Sequence, residues 1–316
     1  MFFSLHIGKT AGTTFKYILS RNFGDNFLGV YSPTIRKYLG SERTTPSVKP
    51  LNEFEFSEIL ACYSGIECVS SHFLAFPNRF NHFKVMTFLR DPVERVISHF
   101  FSFRRKYLDL SVDEFPDHMK YDYRNDMILF FKHWDHVQSE YGVHNHCKNY
   151  QTYVIDNNLD IDKAIDRIRN NFWFVGLVER FDEGLLLLRD QFKELGRSLD
   201  IKYVRQHVAA NMAGGIYRES VQKAVRRQRK EKKVLVTDEI REKIKEMNQL
   251  DYVLYKEAKK LFNERLNRYQ GNMKADLSNY RRQMQQWKLK NQLYGSLKVN
   301  RIKSFLRLIK GKYAGN

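Results

Sequence analysis

The chain has 316 residues, 42% hydrophobic and 14% aromatic, which is enough apolar matter for one substantial core plus appendages and too much for a disordered chain. Lys and Arg number 54 against 36 Asp and Glu, a net charge of +18 that favours anionic substrates. No apolar run reaches the ~18 residues a membrane span needs, and Met1-Phe2-Phe3 lacks the basic start of a secretory signal, so a cytoplasmic protein is expected.

Phe2 to Ile7 is a short apolar run. It leads into Gly8-Lys9-Thr10-Ala11-Gly12-Thr13-Thr14 and then an apolar-periodic stretch from Phe15 to Leu19, the pattern of strand, tight loop and helix. Two glycines, a lysine and three threonines at a helix start bring backbone N–H groups, hydroxyls and an ammonium together, which predicts a phosphate cradle. The Walker A pattern needs a glycine five residues before its Gly-Lys-Thr, where this chain has Phe3, so a P-loop kinase or other nucleotide triphosphatase is disfavoured.

Gly24 to Tyr31 is expected to hold a second strand, 32–50 a surface loop, 53–61 a short helix and Ile66 to Ser70 a third strand. All six prolines lie at or before Pro116, so sheet and turns should crowd the first third and helices the rest. Lys84 to Leu89 predicts a buried strand, and Arg90-Asp91-Pro92-Val93-Glu94-Arg95-Val96-Ile97-Ser98 opens a helix reaching about Tyr107. A rigid arginine fork at the strand end suits a phosphate dianion, and a serine two helical turns on can add a hydroxyl donor.

These two stretches resemble the carbohydrate sulfotransferases, in particular the heparan sulfate 2-O and 6-O enzymes. The resemblance covers residues from about 2 to 266. It implies a P-loop-like three-layer α/β/α fold with a central, mainly parallel sheet, to which the proline distribution adds a helix-rich C-terminal half and the composition a basic helical tail. It also implies 3'-phosphoadenosine 5'-phosphosulfate as donor, with no metal. By the same resemblance Lys9, Thr10, Gly12, Thr13 and Thr14 would hold the 5'-phosphosulfate, and Arg90 with Ser98 the 3'-phosphate. Arg205 would lie on a loop that folds over the adenosine. His72 stands eighteen residues before Arg90, where the related enzymes carry a Gly-His base, here with Ser71 replacing the glycine. The expected reaction moves the sulfuryl group to a carbohydrate hydroxyl, with His72 as base and Lys9 stabilising the leaving phosphate. Animal relatives of this kind are Golgi membrane proteins, whereas this chain starts at its first core strand, as a soluble relative would.

Further along, a helix is expected over 124–139, another over Ile161 to Asn170, a strand at Phe172 to Val175 and then a leucine-rich helix with Glu179 and Asp182 at its start. The group His133, His136, His144, His146 and Cys147 has no zinc-finger or HExxH spacing, so surface histidines along a cleft are favoured over a metal site. Three cysteines without a CxxC pair, Cys62, Cys68 and Cys147, fit a reducing compartment better than a Cys62–Cys68 disulfide. Lys223 to Lys233 holds seven basic residues and one acidic one, an acceptor groove or a solvated helix face.

The division expected is a sulfotransferase domain at 1–268 and a tail at 269–316, where eleven Lys and Arg stand against one acidic residue. Met284, Trp287 and Leu289 among those cations predict a basic amphipathic helix. It would dock on the body or a sister subunit, lie on a membrane surface, or bind anionic polysaccharide. The acceptor is expected to be an acidic polysaccharide or glycan, and nucleic acid is not expected as a partner because no nucleic-acid module precedes the tail. An inactive sulfotransferase-like protein binding polyanions or membranes is the alternative from another class.

Overall fold

The computed structural model describes residues 1–30, 65–72, 83–107, 121–203 and 230–289. Arg205, Cys62, the expected loop at 32–50 and helix at 53–61, most of the basic stretch Lys223 to Lys233 and the end of the tail lie outside them. Five strands are described: β1 (Phe2–Leu5), β2 (Phe27–Val30), β3 (Cys68–Ser71), β4 (Lys84–Leu89) and β5 (Phe172–Leu177). They form one sheet in the order β2-β3-β1-β4-β5, every pairing parallel. Parallel strands are covered on both faces, so β1 buries all four of its residues, Phe2, Phe3, Ser4 and Leu5, rather than alternating.

The helices follow as α1 (Gly12–Phe23), α2 (Pro92–Tyr107), α3 (Met127–Tyr141), α4 (Tyr150–Ile155), α5 (Ile161–Asp166), α6 (Phe181–Glu194), α7 (Asp238–Met247), α8 (Gln249–Asn267) and α9 (273–289). This is the three-layer α/β architecture that the sequence predicts. Two boundaries differ from expectation for local reasons. A 3-10 turn, Gly24–Asn26, precedes β2, with Gly24 at φ 53 closing α1. The helix expected to run to Asn170 changes to a π turn at Arg167–Asn171 before entering β5.

The main core lies on the sheet. Phe15, Ile18 and Leu19 of α1, Leu185 to Leu188 of α6, and Leu254, Ala258 and Phe262 of α8 pack against the strands. Gly176 has to be glycine: a Cβ there would stand 2.3 Å from the Phe88 ring. A second apolar cluster joins α2, α3 and α7 through Val96, Ile97, Phe100, Phe130, Trp134, Ile240 and Ile244. The helix α9, from the sequence expected to be tail, lies on the body: Met284 is buried and Tyr280 Oη donates to Ile201 O at 2.8 Å. Arg21 sits 5.4 Å over the Trp287 ring and Arg281 bridges Asp182 at 3.3 Å. No helix among the described residues is long and apolar enough to cross a membrane.

In this strand order β1 is the switch point. The chain leaves β1 toward β2 on one side and returns later to β4 on the other, which opens a crevice at the carboxyl ends of β1, β3 and β4. Thr87 Oγ1 donates to Leu5 O at 2.9 Å and His6 N to Ser71 O at 2.8 Å, fixing those three ends together.

Candidate active site

The loop after β1 is bent by two residues in the left-handed region, Lys9 (φ 71) and Ala11 (φ 62). For non-glycine residues that geometry costs roughly 1–3 kcal/mol each, a cost borne at functional sites more often than elsewhere. Thr10 is buried and its hydroxyl donates to Ile7 O at 2.8 Å, so it closes the loop on itself. No side chain caps α1, so the N–H groups of its first turn and its dipole are available to an anion. Thr13 is half-buried and Thr14 buried in that first turn.

Gly12 is required by His6. A Cβ at position 12 would lie 1.7 Å from His6 Cδ2 and 2.1 Å from its Nε2, so the imidazole fills the space a side chain would need. The His72 ring in turn lies on His6, with centroids 3.9 Å apart. His72 Nδ1 is 2.6 Å from His6 O. A carbonyl only accepts, so Nδ1 carries the proton and Nε2 the lone pair of the neutral ring. Burial, and then the charge of Lys16, push the His72 pKa below the ordinary value of 6.5, which keeps the ring in its basic form near neutrality.

On the other side of β1, Arg90 follows β4 directly. Its Nη1 donates to Lys9 O at 3.2 Å, which ties the two predicted phosphate segments together. Arg90 Nε is buried with no hydrogen-bond partner, and among the described residues no carboxylate forms an ion pair with Arg90 or Lys9. Asp91 Oδ1 caps α2 by accepting from Glu94 N at 3.1 Å, and its own N–H donates to Glu179. Ser98 is half-buried two turns into α2.

The sequence reading passed over Arg95 and Arg105, which with Tyr150 complete the cleft. Arg95 is fully buried, donates through Nη2 to His146 O, and lies 5.0 Å over the Tyr150 ring. Tyr150 itself covers the loop, its Cε1 3.5 Å from where a Gly8 Cβ would be. Arg105 is half-buried, its Nε is buried without a partner, and it has no ion pair among the described residues. Asp91, Arg95, Ser98, Ser102 and Arg105 recur at alternating spacings of four and three, one polar stripe along α2 and its cap. That stripe was the available signal.

The cations act on each other. Burial first, then the charges of Arg105, Arg90 and Arg95, pull the Lys9 pKa from 10.5 down to about 8. Burial lowers the pKa of Arg90 and of Arg105, yet both guanidinium groups stay charged.

Within the histidine group His136 and His144 are half-buried, while His133 and His146 are used in packing. His133 is buried against Tyr123, and His146 stacks on Trp134 with centroids 4.3 Å apart. His99, buried beside both, is held well below the ordinary histidine pKa by burial and by His146. Among the described residues no group of three or more His, Cys, Asp and Glu could hold a metal ion. Cys68 and Cys147 are buried free thiols, and burial raises both.

No curated protein matches the chain. The model of the sulfotransferase family matches residues 1–256. That span takes in every strand, the loop after β1, the Arg90 segment and the start of α8, so the chain belongs to the sulfotransferase family.

Proposed function

We propose that this protein is an O-sulfotransferase that uses 3'-phosphoadenosine 5'-phosphosulfate and a carbohydrate acceptor. Family membership supports sulfuryl transfer from a sulfonate donor to an acceptor. The observation that carries the finer reading is the Arg90 to Lys9 O contact at a crevice where Lys9, Arg90 and Arg105 are half-buried and form no carboxylate ion pair among the described residues. A cleft with surplus positive charge and orphaned guanidinium nitrogens fits a ligand with phosphate at both ends.

In this reading Lys9, Gly12, Thr13 and Thr14 hold the 5'-phosphosulfate, with Thr10 shaping the loop beneath them. Arg90 and Ser98 hold the 3'-phosphate, and Arg205 covers the nucleotide. The donor supplies a sulfuryl group on a good leaving phosphate. His72 Nε2 takes the proton of the acceptor hydroxyl as its oxygen forms the new S–O bond, and the bond to the phosphate oxygen breaks. Lys9 neutralises the charge that develops on that oxygen, and Gly12 keeps the imidazole pair in place. No step calls for a metal. The net charge of +18 favours an acidic polysaccharide or glycan over a neutral acceptor. We read 1–268 as the catalytic domain and 269–316 as an appendage for self-association or peripheral membrane contact, in a cytoplasmic protein without a nucleic-acid partner.

The test is calorimetric titration of adenosine 3',5'-bisphosphate without magnesium. Micromolar binding, about −8 kcal/mol, is expected for the wild type. Arg90→Ala should weaken it roughly tenfold to a hundredfold, the worth of hydrogen bonds to a charged group. A folded wild type that binds ATP with magnesium and ignores the bisphosphate would refute the proposal.

A further inference from the structure

Arg90 stands where β4 ends, one residue beyond the last pairing with β5 (Leu89 with Leu177) and three beyond the last with β1 (Thr87 with Leu5). The sheet no longer supplies partners for its backbone there, and the chain must turn into α2. Gln151 supplies them. Its Oε1 accepts from Arg90 N at 2.9 Å and its Nε2 donates to Arg90 O at 2.9 Å. A single side-chain amide thus reproduces both hydrogen bonds that a neighbouring strand would give. Among side chains only an amide offers a donor and an acceptor at the spacing of a peptide group.

Gln151 is itself fixed. It is buried, and its N–H donates to Asp251 Oδ2 at 3.1 Å. Thr152 adds two bonds to Asp251 Oδ1, from its N and Oγ1, each 2.8 Å. Asn149 and Asn248 then stitch the two helix starts together: Asn149 N donates to Asn248 Oδ1 at 2.9 Å, and Asn149 Oδ1 accepts from Leu250 N at 3.1 Å. The start of α8, ~100 residues further along the chain, therefore sets the orientation of the Arg90 peptide through one glutamine.

We propose that Gln151 is a positioning residue for the 3'-phosphate subsite, acting through Arg90 and touching no ligand itself. The Arg90 guanidinium is already aimed by its bond to Lys9 O at one end, and Gln151 clamps the backbone at the other. With both ends held, little side-chain and backbone freedom is lost when a phosphate binds. Loss of the clamp frees the junction and leaves a buried N–H and carbonyl without partners. This rests on the reading of Arg90 as the 3'-phosphate ligand.

Adenosine 3',5'-bisphosphate and adenosine 5'-phosphate, which lacks only the 3' group, separate this role from general support of the fold. The wild type, Gln151→Met, Arg90→Ala and the double variant are titrated with each, after circular dichroism confirms folding. Gln151→Met keeps the volume and removes both hydrogen bonds. The expected result is a loss of tenfold or more for the bisphosphate, no more than a twofold change for the monophosphate, and no further loss when Gln151→Met is added to Arg90→Ala. Equal losses for both nucleotides, an additive double variant, or an unchanged bisphosphate affinity would overturn the assignment of Gln151. A wild type that binds the two nucleotides alike would overturn the reading of Arg90 itself, and with it this one. Should Gln151→Met fail to fold, Gln151→Asn, whose amide is too short to reach, enters the same comparison under the same criteria.

Discussion

Lys9 makes a quantitative demand on the binding reaction. Its pKa stands at about 8, against 10.5 in an ordinary lysine, because burial and then Arg105, Arg90 and Arg95 oppose its charge. A phosphosulfate or phosphate bound against the ammonium would favour the charged form and raise that pKa again. Binding must then draw in a proton wherever free Lys9 is neutral: about half a proton at pH 8 and about nine-tenths at pH 9. Affinity for adenosine 3',5'-bisphosphate should fall by roughly tenfold between pH 7 and pH 9, about 1.4 kcal/mol. Titration at pH 9 in two buffers of different ionisation enthalpy counts the protons directly. Lys9→Met should bind more weakly at pH 7, take up no proton at pH 9 and lose the pH dependence. The same linkage runs through stability. A lysine whose folded pKa lies below its unfolded one destabilises the free protein below pH 8, and the penalty disappears as pH rises toward 10.5. Its full size is at most roughly 3 kcal/mol, so Lys9→Met should make the free protein harder to unfold at pH 7. Proton uptake that survives in Lys9→Met, or a wild type that takes up none at pH 9, would refute the argument.

Gly12→Ala drives a methyl group to within 1.7 Å of His6 Cδ2, so the ring must leave and the His72 ring stacked on it loses its support. Urea unfolding should report a loss of roughly 1–3 kcal/mol, with turnover falling further than stability explains; unchanged stability would contradict the packing described here. For His72, whose pKa lies below 6.5 through burial and Lys16, turnover should decline on the acid side with a midpoint under 6.5. His72→Ala should keep bisphosphate binding and abolish transfer, and a variant that still transfers would discharge His72 from the role of base.

The frame of the site was legible because it rests on local chemistry. Strand, loop and helix at 2–19 and again at 84–107 follow from apolar runs broken by Gly8, Gly12 and Pro92; the structure returns them, with α1 extending three residues before and four beyond the Phe15 to Leu19 stretch. What brings them together was not legible. His6 looked like an unremarkable strand residue until its ring proved to fill the space over Gly12. Gln151 and Asp251 meet across a hundred positions, and no spacing rule connects them. The histidine group was read as a cleft surface, yet His133 and His146 are spent on Tyr123 and Trp134, since stacking partners depend on how α3 meets the loop after it. The stripe along α2 lay in plain sight, and counting by threes and fours would have picked out Arg95 and Arg105.

Two adjacent residues on that helix show how the site obtains its charge. Arg104 and Arg105 are chemically identical and, one step apart on an α-helix, point ~100° away from each other. Arg104 turns toward the second core, where Glu231 pairs with it at 3.0 Å, Asn125 accepts at 3.2 Å and Arg124 O accepts from its Nε. Its charge is matched and its donors are used, as a buried arginine requires. Arg105 turns toward the cleft, has no carboxylate partner among the described residues and raises the potential at Lys9. Glu94, the acid nearest in sequence to Arg95, is held away by Lys232 at 2.7 Å and Arg241 at 3.2 Å. The cleft keeps its positive charge because Glu94 is engaged by Lys232 and Arg241, while Glu179 and Asp91, whose charges favour the charged form of Arg90, form no ion pair with it among the described residues; the net charge of the chain enters only secondarily. Such a cleft costs the free protein stability and returns it on binding a multiply charged anion. The depressed Lys9 pKa and the orphaned nitrogens of Arg90 and Arg105 are two expressions of that one arrangement.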